Sequence, residues 1–354
     1  MAGSPKRVLI IGVSNPLGAE VAERLAPHVS ALFGCDVADP ITAIEAMDFV
    51  HADTRQSVIG KLVRQLRIDT VVHLAITVDS AREDRSTHET NVIGTMNVLA
   101  GSAGALTSVE RLVVKSSQAI YGAGHQDPSF FSEEMAGSSK STSTLSRDLL
   151  EMESLVQEFA LRNPRCRVST LRLGFGIAYE STLGKYLSLP VVPTFAGFDP
   201  RLQFLHKDDA AEAVVRATLG GHEGIFNVAA DGILMLSQAI AMMGGRAAPV
   251  LPPYGRWLGR MTLRTLTGVE LPGHVADVLT YGSVADCSHL LSEFGWKPAR
   301  TTRQTMEEFV TGRDEIIAEP TSPPQEYELQ VYLQRRRRSA RNGHRGGNAL
   351  VVNR

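Results

Sequence analysis

The chain has 354 residues, 43% of them hydrophobic and 21% charged, with a formal net charge of −2. That size and composition suit a soluble globular protein: one large α/β domain, or a nucleotide domain with a smaller lobe. No apolar run is long enough to span a bilayer, and the N-terminal stretch lacks the cleavage region of a signal peptide.

Lys6 to Gly12 is short and almost wholly apolar, as expected of a strand buried on both faces of a parallel sheet. Helical spacing follows from Gly18 to Leu25. Further strands are expected at Ala31–Asp36, Phe49–Asp53, Thr70–Ala75, Leu112–Ser117 and Val168–Leu173. Helical stretches separate them at Arg55–Leu66, His88–Leu99 and Leu145–Leu161. This alternation predicts a Rossmann-type, doubly wound parallel sheet with right-handed crossovers. Beyond residue 174 prolines punctuate the pattern, and helices are expected at Asp208–Leu219 and Leu236–Met243. Residues 1–173 are read as mainly the nucleotide-binding domain, 174–318 as mainly a substrate lobe entwined with it, and 319–354 as a Pro-rich exit and basic tail.

Cys35, Cys166 and Cys287 are far apart in sequence and match neither metal spacing nor a disulfide framework. A reducing cytoplasm is therefore the expected setting. The tail from Arg335 to Arg354 holds seven arginines and no acid. It is read as solvated, with contact to an anionic surface or nucleic acid as the alternative. Arg256, Arg260 and Arg264 fall at helical spacing, either as a solvated stripe or as a basic face toward a membrane.

Gly12-Val13-Ser14-Asn15-Pro16-Leu17-Gly18 lies between a strand and a helix, where a dinucleotide fingerprint belongs. Gly12 permits the tight turn, and Gly18 lets the helix pack on the sheet. The helix N-terminus, with Asn15 and Leu17, faces the pyrophosphate. Asn15 replaces a glycine, and its tolerance of positive φ is expected to keep the turn. Asp36 ends the second strand. An acid there accepts hydrogen bonds from ribose hydroxyls and repels a 2′-phosphate, which favours NAD over NADP.

Several further segments carry a resemblance. They are His51-Ala52-Asp53, Val71-Val72-His73-Leu74-Ala75, Asn91-Val92-Ile93-Gly94-Thr95, Ser116-Ser117-Gln118-Ala119-Ile120-Tyr121-Gly122, Phe204-Leu205-His206-Lys207-Asp208-Asp209 and Phe294-Gly295-Trp296-Lys297-Pro298. In this order they resemble the landmarks of the NAD-dependent epimerase/dehydratase family, extended short-chain dehydrogenases similar to UDP-glucose 4-epimerase. The resemblance implies that Asp53 sits near adenine, that Leu74 and Ala75 pass along the cofactor, and that Asn91 braces the central strands. It also implies a homodimer through paired helices, for which Leu149, Leu150, Met152 and Leu155 are candidates.

In that family a Ser, a Tyr and a Lys work as a unit: the Tyr moves the hydroxyl proton, the Lys supports it and holds the ribose, and the Ser orients the substrate oxygen. The resemblance gives Ser117 the Ser role. Aligning Ser146, Arg147 and Glu151 on Ser-Lys-x-x-x-Glu puts Ser143 at the Tyr and Arg147 at the Lys. A Ser hydroxyl is a far weaker and shorter acid, and Arg keeps the charge without exchanging protons near neutral pH. Tyr121, Lys115 and Tyr179 are alternative acids, while His125 and His206 read as structural. Phe175 stands where sugar-nucleotide enzymes carry an Asn at the substrate diphosphate, and Arg201 is a candidate phosphate contact. Two readings stay open. One is an NAD-dependent oxidoreductase acting on a sugar nucleotide or related hydroxyl/carbonyl substrate with altered acid/base residues. The other is a non-catalytic NAD(H)-binding regulatory or scaffold protein.

Overall fold

A computed structural model describes residues 6–78, 85–104, 108–128, 130–138, 143–179, 181–250 and 269–318, with side chains to 312. The Arg256–Arg264 stripe, the exit at Pro320–Pro324 and the Arg-rich tail lie outside the described residues.

The sheet has seven strands: β1 (Arg7–Ile11), β2 (Ala31–Asp36), β3 (Met47–His51), β4 (Thr70–His73), β5 (Arg111–Ser117), β6 (Arg167–Leu173) and β9 (Gly224–Val228). Their order is β3-β2-β1-β4-β5-β6-β9, and every pair is parallel. Helices on both faces explain why the strands read as continuous apolar runs rather than alternating ones. On β1, Leu9 and Ile11 enter one core while Val8 and Ile10 enter the other. The first core is closed by α5 (Thr144–Arg162), which contributes Leu145, Leu149, Met152 and Val156. The second is closed by α1 (Pro16–Leu25) and α7 (Lys207–Gly220), through Val21, Leu25, Val214 and Ala217.

The expected elements to residue 173 are all present, with ends displaced by a few residues. The helix expected at His88–Leu99 is an extended run: α3 (Arg85–His88), a π-helical stretch at Glu89–Ile93, and α4 (Gly94–Ser102). The seventh strand, β9, was absent from the sequence reading. Its five residues start at Gly224, at φ +131°, and carry no long apolar run. It ties the C-terminal half to the sheet edge. A third cluster, with Tyr186, Phe204, Leu236 and Leu279, forms the core of the region after residue 174. Leu149 and Met152 are fully buried in the first core, so they offer nothing to a partner subunit, while Leu150 and Leu155 pack against that core.

Strand order reverses between β2-β1 and β4-β5, so the crevice at the carboxyl ends of β1 and β4 is a topological switch point, the usual ligand position in such sheets. Among the described residues no helix is long and apolar enough to cross a membrane, and no group of three or more metal-ligating side chains occurs.

Candidate functional site

A cleft of about 990 Å³ opens at that switch point. It is lined by the β1–α1 loop, the end of β2, the segment Leu74–Val78, the end of β5 and the segment after β6. An adjoining cavity of about 260 Å³ continues between Asp36, Ala52, Asp53 and Thr90.

Gly12 makes the turn out of β1 at φ +88°. A Cβ there would lie 2.6 Å from the Ala75 backbone nitrogen, so the position requires glycine on two counts. Gly18 packs α1 against the same turn, where a side chain would collide with the Gly12 carbonyl. Asn15 departs from expectation. It sits in extended backbone, at φ −92° and ψ 161°, and caps α1. Its Oδ1 accepts the Gly18 N–H at 2.9 Å, and its Nδ2 donates to the Gly12 carbonyl at 2.5 Å. The loop therefore needs no left-handed residue at 15, and the amide holds the turn closed from within. Pro16 has no N–H, and Gly18 and Ala19 donate to Asn15. That leaves the Leu17 N–H as the first-turn donor with no partner among the described hydrogen bonds, at the positive end of the helix.

Asp36 is held by two backbone donors: Ser14 N–H to Oδ2 at 3.0 Å and Val37 N–H to Oδ1 at 2.7 Å. Each oxygen retains acceptor capacity toward the cleft. Asp53 is engaged bidentately by Arg55, with Nη2 2.7 Å from Oδ2, and the side-chain hydrogen bond from Arg55 lowers its pKa. The acid expected near adenine thus comes with its own counterion, which sequence reasoning missed. Asn91 is fully buried, accepts from Thr77 N at 2.8 Å and donates to Thr77 O at 2.9 Å. It braces the cleft wall and does not line the cavity, so its role is support.

Ser117 lines the cleft and its Oγ accepts the Ala119 N–H at 3.2 Å. Ser143 and Arg147 do not join it. Ser143 is the N-cap of α5, accepting the Ser146 N–H at 3.0 Å. Arg147 is exposed, its guanidinium donates to Thr144 Oγ1, and it lies outside the cavity lining. Glu151, the acid of that alignment, is also exposed, whereas Glu153 is buried. Counting the same spacing back from Glu153 puts Leu145 and Leu149 at the catalytic pair, and both are core residues. No register rescues the pair, because α5 contains neither Tyr nor Lys.

Tyr121 is engaged away from the cleft lining. Its ring is 1% exposed, its hydroxyl donates to Asn227 Oδ1 at 2.6 Å and accepts from Arg172 at 2.9 Å. Burial raises its pKa to about 12. Tyr179 lies tilted against Phe309 outside the cavity lining, and His125 and Arg201 are exposed and outside it too. His206 caps α7, its Nδ1 accepting the Asp208 N–H, and faces Glu308 at 3.0 Å. Phe175 packs with the C-terminal core, and its carbonyl accepts the Leu205 N–H. Lys115 does lie in the lining, its Nζ donating to the Ile76 carbonyl at 2.9 Å.

Residues 8–229 match the model of the NAD dependent epimerase/dehydratase family. The chain is 36% identical over 319 residues to uncharacterized proteins of Mycobacterium bovis and Mycobacterium tuberculosis, spanning 87% of this chain and 84% of each relative. Among solved structures it is similar to UDP-glucose 4-epimerase of Thermotoga maritima, with a TM-score of 0.68 at 17% identity over 88% of this chain and 99% of that one. It is also similar to dTDP-glucose 4,6-dehydratase of Bacillus anthracis, with a TM-score of 0.65 at 14% identity over 88% and 97%. The chain belongs to the NAD dependent epimerase/dehydratase family.

Proposed function

We propose that this member of the NAD dependent epimerase/dehydratase family binds NAD and acts as an oxidoreductase on a sugar nucleotide or related hydroxyl/carbonyl compound. The observation that carries the reading is convergence: the Gly12 turn, the Leu17 N–H, the Asp36 carboxylate and the Ser117 hydroxyl face one cleft. The residues fit the cofactor. Gly12 and Leu17 receive the pyrophosphate, Asp36 takes the adenosine ribose hydroxyls, and the cavity beside Asp53 suits the adenine. The pair Asp53–Arg55 offers that ring a carboxylate edge and a guanidinium plane. When bound, NAD supplies a hydride acceptor and donor. Ser117 orients the substrate oxygen by a hydrogen bond, while Leu74, Ala75 and Ile76 wall the site from water.

The departures decide the finer chemistry. With no Tyr or Lys on α5, proton movement must come from another group. Phe175 in the C-terminal core leaves no Asn for a substrate diphosphate. The same absence favours the second reading, a non-catalytic NAD(H)-binding protein of regulatory or scaffold type. Two measurements separate them: NAD binding, and conversion of a panel of UDP-, GDP- and dTDP-hexoses followed by chromatography. Conversion of a panel member supports the enzyme. Tight NAD binding with every sugar returned intact rules out the panel members and leaves the related hydroxyl/carbonyl substrates to be tried, and failure to bind NAD sinks both readings.

A further inference from the structure

The cleft has no proton-handling pair from α5 but holds a half-buried amine, that of Lys115. The following rests on the cofactor reading above. Lys115 lies on β5 two residues before Ser117. Strand alternation puts Leu112, Val114 and Ser116 on the α5 face, where Ser116 Oγ donates to Glu153 at 2.5 Å. Val113, Lys115 and Ser117 take the opposite face, and both Lys115 and Ser117 line the cleft. The parallel register pairs Val114 with His73. The strand β4 ends there, and the chain runs on through Leu74 to Val78 along the cleft wall. The Lys115 amine donates to the Ile76 carbonyl at 2.9 Å, within the same cleft lining that Ser117 enters. That bond uses one of the three ammonium protons and leaves two.

The charged surroundings leave this amine able to titrate. Burial lowers its pKa to about 8. His73, on the neighbouring strand, is held neutral by burial and by the Lys115 charge, with its pKa lowered to about 3. Glu153 and Arg172 pair with each other on the opposite face. Glu20, Glu23 and Asp36 face the cleft from α1 and β2, and Lys207 stands at its rim on α7.

We propose that Lys115 is the proton-exchanging group of this site, working beside Ser117 Oγ in place of a Tyr–Lys pair on α5. In the oxidising direction the substrate O–H bond breaks and its proton joins the Nζ lone pair, making the ammonium. Bound NAD would supply the acceptor for the carbon-bound hydrogen and its two electrons, so the proton is the part that Lys115 takes. The reverse direction returns both.

Calorimetric titration of NAD at pH 8, in two buffers of different ionisation enthalpy, counts the protons released on binding. Oxidised nicotinamide is positively charged and NADH is not. An ammonium beside that ring is disfavoured, so NAD should release on the order of half a proton from the native protein and NADH far less. K115M and K115R should bind NAD and release none; K115R keeps the charge should K115M fail to fold. Undiminished release in either variant, or none from native protein that binds NAD, overturns the assignment. Native protein that binds no NAD overturns the cofactor reading beneath it.

Discussion

Glu153 and Arg172 form a bidentate ion pair inside the protein, Nη2 to Oε2 at 2.7 Å, with side chains 3% and 2% exposed. The pair joins α5 to β6, and Arg172 also donates to Tyr121 and to the Glu133 carbonyl. Removing one partner strands the other charge. Glu153→Ala should cost about 3–5 kcal/mol, the usual penalty for an uncompensated buried ion. Urea unfolding measures it, and an unchanged midpoint would contradict the assignment.

Tyr121→Phe tests whether this ring supports the fold or does chemistry. The hydroxyl is shared between Arg172 and Asn227, so its loss should cost about 1–3 kcal/mol through partners left unsatisfied. NAD affinity should stay within about twofold, a few tenths of a kcal/mol. A stable variant with lost turnover on any substrate found would instead make Tyr121 the acid.

Gly12→Ala should destroy the cofactor cradle. The φ of +88° alone costs an alanine on the order of 1–3 kcal/mol, and the new Cβ meets the Ala75 backbone, which cannot swing aside. Gly176→Ala is the control, since nothing lies within 4 Å of its added carbon. The first variant should melt lower and lose NAD binding, and the second should keep its melting temperature.

His88 carries a pH signature. Its Nδ1 lies 2.8 Å from Asp148 Oδ1, and the hydrogen bond to Asp148 raises its pKa above the usual 6.5. A group raised in the folded state stabilises fully below its unfolded pKa and loses that contribution as pH rises through the folded one. The melting temperature should therefore fall as pH rises above 6.5, and His88→Gln should flatten that slope. An identical slope in the variant would assign it elsewhere.

Much of this was legible in the chain. The apolar run into Gly12, the spacing to Gly18 and Asp36 at a strand end are local signals, and the fold displays them where expected. Other features depend on residues remote in sequence. Tyr121 is occupied by Asn227, 106 positions away, on a strand whose short sequence gave no period to read. Glu151 and Glu153 are equivalent as letters, and only packing against β5 and β6 shows that Glu153 is the buried one. Asn15 looks in the sequence like a left-handed substitute for glycine, and in the fold its amide has the different task of capping the helix.

Every functional statement above depends on the Asp36 cleft holding NAD. The direct test is calorimetric titration of NAD and NADPH into the native protein and Asp36→Ala. NAD should bind, NADPH should bind at least about tenfold more weakly because the carboxylate repels a 2′-phosphate, a gap of 1.4 kcal/mol, and Asp36→Ala should weaken NAD and narrow the gap. Equal affinity for the two dinucleotides, or binding of neither, would contradict the account.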